Sequence, residues 1–217
     1  MKTSIRCMLV CAAVMLGACA GAPPAPDWQL NAHGAAERAM EAYLSGDDAV
    51  AESAWARARA EVARTGRPEL AARLALLRCA AEVASVQSGP CSAFEALRVD
   101  ASAQDAAYAD YLAGQTDPVR VALLPEAQRA AARDVQAIAA IADPLSRLVA
   151  AGAALRAGRA TPQTLVLATD TASVQGWRRP LLAWLLLRQE RARSLGDADL
   201  GAALQRRIDL VQGAGTR

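Results

Sequence analysis

Histidine, lysine and aromatic side chains are scarce in this chain, and each shortage closes off a class of chemistry. His33 is the sole histidine among 217 residues. With no second imidazole and no thiolate cluster beside it, no metal site of ordinary ligand spacing can be assembled, so neither a metal nor a cofactor is implied. A serine–histidine hydrolase would have to use His33, and nothing in the sequence brings a serine to it. Nucleophile elbows, phosphate loops and dinucleotide fingerprints do not occur. Phe94 is the one phenylalanine, and beside it Trp28, Trp55, Trp177 and Trp184 offer few platforms for sugar rings. That argues against a glycan-cleaving enzyme. Long hydrophobic runs are missing too. The apolar stretch from Cys7 to Leu16 rises about 1.5 Å per residue, so it covers roughly 15 Å of a hydrocarbon core of about 30 Å.

What the chain has is arginine, acid and alanine in quantity. Of 24 basic residues, Lys2 and Arg6 lie at the start, which leaves 22 arginines against 22 carboxylates. The balance is uneven along the chain: net −6 over 27–117, +2 over 118–176 and +4 from Trp177 onward. An acidic near end and a basic far end are expected, read either as a steering field or as ordinary solvated helix faces. Asp170 and Glu190 are the isolated acids of the basic half and are expected to be ion-paired.

The first residues, MKTSIRCMLVCAAVMLGA, run from a cationic start through a short apolar middle to small residues, the layout of an export signal. Within them Leu16-Gly17-Ala18-Cys19 resembles the lipobox of bacterial lipoproteins. That resemblance implies cleavage before Cys19, acyl chains on its sulfur and amine, and a lipid anchor. Ala20 in place of an aspartate implies sorting to the outer membrane, with the protein facing the periplasm. Two or three acyl chains make a stable anchor where one is marginal. Residues 1–18 are thus read as the signal peptide. Residues 19–27, with Pro23, Pro24 and Pro26, are read as an extended tether of roughly 3.1 Å per residue, and residues 28–217 as the folded domain.

Once Cys7 and Cys11 leave with the signal and Cys19 is acylated, Cys79 and Cys91 remain. In an oxidising compartment such a pair is a disulfide candidate. A plain helical hairpin turning at Ser88-Gly89 would leave them about two turns apart. Bonding requires the first helix to end near Ala84 or Ser85; the alternative is two small buried thiols.

Nearly all of the domain favours helix, and the prolines punctuate it. Pro68, Pro90, Pro118, Pro125, Pro144, Pro162 and Pro180 can each sit in a first helical turn, several behind a capping residue such as Asp117, Asp143 or Thr161. The starts at Pro125, Pro144, Pro162 and Pro180 recur every 18 or 19 residues, with another at Gly196-Asp197. A helix every 18 residues is a helical hairpin about every 36, the period of stacked helix-pair arrays. Val135, Ile138, Ile141 and Ala142 share one face, which Leu145, Leu148 and Val149 continue. PLLAWLLL, from Pro180 to Leu187, is apolar on every side and is expected to be buried all round.

Gly46-Asp47 followed by Ala51, Trp55 and Ala58 resembles the second half of a tetratricopeptide repeat, with alanines replacing the usual large residues of the first helix. The fold expected is all-α, an array of antiparallel tetratricopeptide-like hairpins; the competing reading is a generic hairpin with the same turn chemistry.

One constellation has the chemistry of an interface. Trp177, Arg178 and Arg179 fall in a turn before the apolar helix, and Arg188, Arg191 and Arg193 could extend the basic patch along it. Arginine and tryptophan anchor many interfaces, and paired guanidinium groups suit carboxylate or phosphate partners. The competing reading has Trp177 stapling the helix start and both arginines solvated. The function expected is non-enzymatic: a scaffold or accessory subunit recruiting an envelope protein or peptide. The alternatives are a peptidoglycan-binding or peptidoglycan-modifying lipoprotein and a structural spacer. An exported chain makes nucleic acid an improbable partner.

Overall fold

A computed structural model describes residues 24–213, and the expected signal peptide, Cys19 and the expected tether as far as Pro23 lie outside the described residues. The described part is all-α: ten α-helices and three 3₁₀ turns, with no strand among the described residues. Pro24–Pro26 are exposed and irregular, and α1 (Asp27–Ser45) begins directly behind them. Gly46, at φ +85°, takes the left-handed turn that side chains resist, and Asp47 then accepts from Val50 N–H at 3.1 Å to cap α2 (Asp48–Ala63). Because alanines face each other along this hairpin, Ala35, Ala36 and Ala39 pack directly on Ala54, Trp55 and Ala58.

α3 (Pro68–Ala84) ends at Ala84, where the chain doubles back. Val86 sits at φ +58°, unfavourable for a β-branched residue, in the turn that carries Cys91 back to Cys79. The two cysteines are joined by a disulfide, with Cα atoms 5.5 Å apart. Beyond it come α4 (Ser92–Glu95), α5 (Ala103–Leu112) and α6 (Glu126–Arg133), interleaved with 3₁₀ turns at Arg98–Asp100, Pro118–Leu123 and Val135–Ala140. Then follow α7 (Pro144–Arg156), α8 (Pro162–Gln175), α9 (Arg178–Ser194) and α10 (Ala198–Gly213).

The 18-residue spacing expected from the prolines survives as helix starts at 126, 144 and 162. One expected helix is different in kind. Asp134 leaves the helical region and its carboxylate accepts from Gln136 N–H at 2.9 Å, which ends α6 and restarts the chain as a 3₁₀ turn. Ile138 and Ile141 are buried there as expected, whereas Ala142 is exposed.

At the centre α3 crosses α7. Gly152 lies where a Cβ would run into the Val83 carbonyl, so the two backbones touch because that residue is glycine. Trp184 of α9 is fully buried against this crossing and donates its indole N–H to Ala84 O at 3.0 Å, closing the C-terminus of α3. Gln128, 2% exposed, accepts from Tyr111 Oη and donates to Ser146 O, each at 3.0 Å, and so fixes α6 between α5 and α7. Helices far apart in sequence therefore meet, with α9 reaching back to α1. The apolar α9 is not buried all round: Trp184 and Leu185 are, but Leu186 is 45% exposed. Packing against α8, α10 and α1 leaves one stripe of the helix facing solvent.

Candidate functional site

The expected interface turn has an internal role. Trp177 donates its indole N–H to Glu41 Oε2 at 3.3 Å. Arg178 donates to Ser45 O at 3.4 Å and Gly46 O at 3.2 Å. Arg179 donates to Tyr43 O at 2.7 Å, pairs with Asp48, and lays its guanidinium 4.3 Å from the centroid of the Tyr43 ring. The last carbonyls of a helix lack intrahelical donors, and its C-terminus attracts cations. Arg178 and Arg179 supply both requirements to α1. Trp177, Arg178 and Arg179 are thus half-buried, with polar atoms already engaged within the chain. Their acceptors lie 131 to 136 positions upstream, where no local pattern can point. Burial pushes the Tyr43 phenol up to about 12, opposed in part by the charge of Arg179.

The remaining basic residues singled out on α9 divide. Arg188 is half-buried, and its pKa is lowered by burial first and by the neighbouring charge of Arg207 second. Arg191 is exposed, and Arg193 pairs with Glu190. Glu190 is ion-paired as expected, whereas Asp170 is exposed and makes no ion pair among the described residues. His33 is exposed, with its Nε2 3.2 Å from Glu37. Among the described residues no group of three His, Cys, Asp or Glu comes together as metal ligands, and no helix is long and apolar enough to cross a membrane.

The structure also holds a cavity that the sequence does not announce. Between α2, α3 and the segment tied down by the disulfide lies a pocket of about 460 Å³. Trp55, Val62, Leu74, Ala75 and Leu97 give it apolar walls, and Cys79 and Cys91 place the disulfide in its lining. Its size falls in the range of small-ligand sites, roughly 300–1,000 Å³.

Electrostatics around this pocket are asymmetric. Arg78 donates to both oxygens of Glu52, at 2.6 and 3.0 Å, and to Glu82 at 3.0 Å, so its charge is answered inside the protein. Those hydrogen bonds hold the Glu52 carboxyl below the usual range and raise Arg78, with Glu52 the larger cause. Arg59 also lines the pocket, is exposed, and forms no ion pair or hydrogen bond among the described residues. Trp55 is 1% exposed, and its indole N–H has no acceptor among the described residues. Most buried donors are paired, so an unpartnered one is a cost to the folded chain.

The sequence offers Trp55 only as one of a few aromatic platforms and as part of the tetratricopeptide resemblance, and Arg59 not at all. Their spacing of four along one helix was the available signal. No protein-family model, no curated protein and no solved structure matches this chain.

Proposed function

We propose that this chain is a bacterial lipoprotein held by acyl chains on Cys19 at the periplasmic face of the outer membrane. There it acts as a non-enzymatic scaffold or accessory subunit for an envelope protein or peptide. The observation that carries the reading is Leu16-Gly17-Ala18-Cys19 behind a cationic start and a short apolar run. The Cys79–Cys91 bond supports it, because structural disulfides persist in oxidising compartments such as the periplasm. In this reading the hairpins are tetratricopeptide-like. Two of them share turn chemistry: Gly46 and Gly196 turn left-handed at φ +85° and +71°, and Asp47 and Asp197 cap the next helix.

Two experiments test the two halves of the reading. Metabolic labelling with a radioactive fatty acid should mark the wild type and not Cys19→Ala, and the variant should leave the membrane fraction; equal labelling of both would sink the anchor. Crosslinking in cells, followed by pull-down, should recover one envelope protein in stoichiometric amount with the wild type. The net +4 carried from Trp177 onward, with Arg191 and Arg206 exposed, favours a second reading in which the basic end meets the acidic wall polymer. Pelleting with purified sacculi at low salt, lost when Arg191 and Arg206 become alanine, would support that reading instead.

A further inference from the structure

We propose that Arg188 and Arg207 clamp one carboxylate of an acidic, apolar segment of a partner protein, on the surface where α9 runs between α8 and α10. The proposal rests on the scaffold reading above and names its site; it does not depend on the anchor. A contrast among arginines carries it. The other half-buried arginines all donate to the protein: Arg78, Arg98 and Arg120 reach carboxylates, and the rest, Arg156 and Arg159 among them, reach backbone carbonyls. Arg188 and Arg207 are half-buried too, yet neither has a hydrogen bond or ion pair among the described residues.

These two are also neighbours. Leu185 and Ala192 of α9 pack on Leu204 and Ile208 of α10, and Gln189 donates to Gln205 at 2.6 Å on one side of that seam. At about 100° of turn per residue, Arg188 and Arg207 fall on the other side. There Arg188 feels the charge of Arg207 from α10 and, more weakly, that of Asp170 from α8, with which it forms no ion pair. Two guanidinium charges thus face one distant carboxylate, and a single further carboxylate brings them to neutrality while accepting from both. Arg191, one turn along α9, is exposed and stays in water. The rim is apolar: exposed Leu200 and Leu210 share the face of Arg207, and exposed Val166 lies one turn before Asp170. Apolar side chains flanking an acid cover such a rim, which the sugars of a wall polymer do not.

The test begins with random peptides displayed on phage and selected against the full chain, the chosen peptide then being titrated by fluorescence anisotropy. Selected peptides should carry aspartate or glutamate beside leucine-like side chains. Exchanging that acid for its amide should weaken binding about tenfold, as should Arg188→Gln or Arg207→Gln, the loss of a charge-assisted hydrogen bond. The amide peptide should not distinguish these variants from wild type, and Arg206→Gln, exposed on another face of α10, should change nothing. Neither clamp variant should lower the urea midpoint, because each removes a like charge and no bond within the protein. A lowered midpoint would reveal an internal partner and overturn the proposal. Selected peptides without an acid, equal binding by wild type and both variants, tighter binding of a phosphoserine in the acid's place, or pelleting with sacculi that needs these two arginines would overturn it as well. In cells, a stoichiometric partner recovered equally by the Arg188→Gln/Arg207→Gln chain would sink this site and leave the scaffold reading standing. Acid-dependent peptides with no partner in cells would support the site and sink the scaffold reading.

Discussion

Two buried tryptophans divide this molecule into a solid region and a hollow one. Trp184 is fully enclosed by α3, α7 and α8, and its N–H meets Ala84 O at 3.0 Å. Trp55 is equally out of water, yet it borders a cavity of about 460 Å³ and its N–H meets nothing among the described residues. Burial alone would rank them together. Satisfaction of the polar atom separates them: one indole N–H ties two helices together, and the other has no acceptor among the described residues.

The comparison breaks most visibly at the solid end. Trp184→Ala removes the largest side chain from the central crossing and leaves the Ala84 carbonyl without its donor, so a loss of about 3–5 kcal/mol is expected from the urea midpoint. A loss no greater than that of a surface substitution would show that the crossing is not the core. Next in size is the disulfide, which walls the hollow region. It closes 12 residues, and replacing both cysteines by alanine should cost about 3 kcal/mol, mainly by freeing the unfolded chain. The same drop should appear in wild type on adding a reductant, and its absence there would mean that the thiols are not bonded in solution. Gly152→Ala then tests the α3–α7 contact. Its Cβ meets backbone rather than a movable side chain, so about 1–3 kcal/mol should be lost even though alanine is the better helix former.

How much of this was legible follows the same division. Helix starts behind Asp143-Pro144 and Thr161-Pro162 depend on neighbours three residues away, and they form where capping chemistry puts them. The disulfide was legible as a condition on where α3 ends, and the helix does stop at Ala84. What stayed hidden depends on distant partners. Arginines that look like a solvated face are pins to carbonyls: Arg156 reaches Leu112 O and Gln87 O, and Arg159 reaches Ala132 O. Trp177, Arg178 and Arg179 hid their internal contacts for that reason. Their pattern matches an interface, and the surface they bind is the other end of the same chain. The pocket was hidden for a further reason, since a cavity is a fault of packing among three segments and no single segment records it.

The smallest effect is the most discriminating. In Trp55→Phe the ring keeps much of its contact area while an N–H with no acceptor among the described residues disappears. A buried donor without a partner costs the native state about 1–3 kcal/mol, and its removal offsets much of the packing lost with the smaller ring. The net change in the urea midpoint should therefore lie within about 0.5 kcal/mol of zero, the size of an ordinary surface substitution. Trp184→Phe is its control: the same chemical change there leaves a buried carbonyl unpaired and opens a gap in a filled core, so it should cost clearly more. Equal losses at the two positions would mean that Trp55 has found an acceptor in solution, and the distinction between the solid and hollow regions would fail at its defining atom.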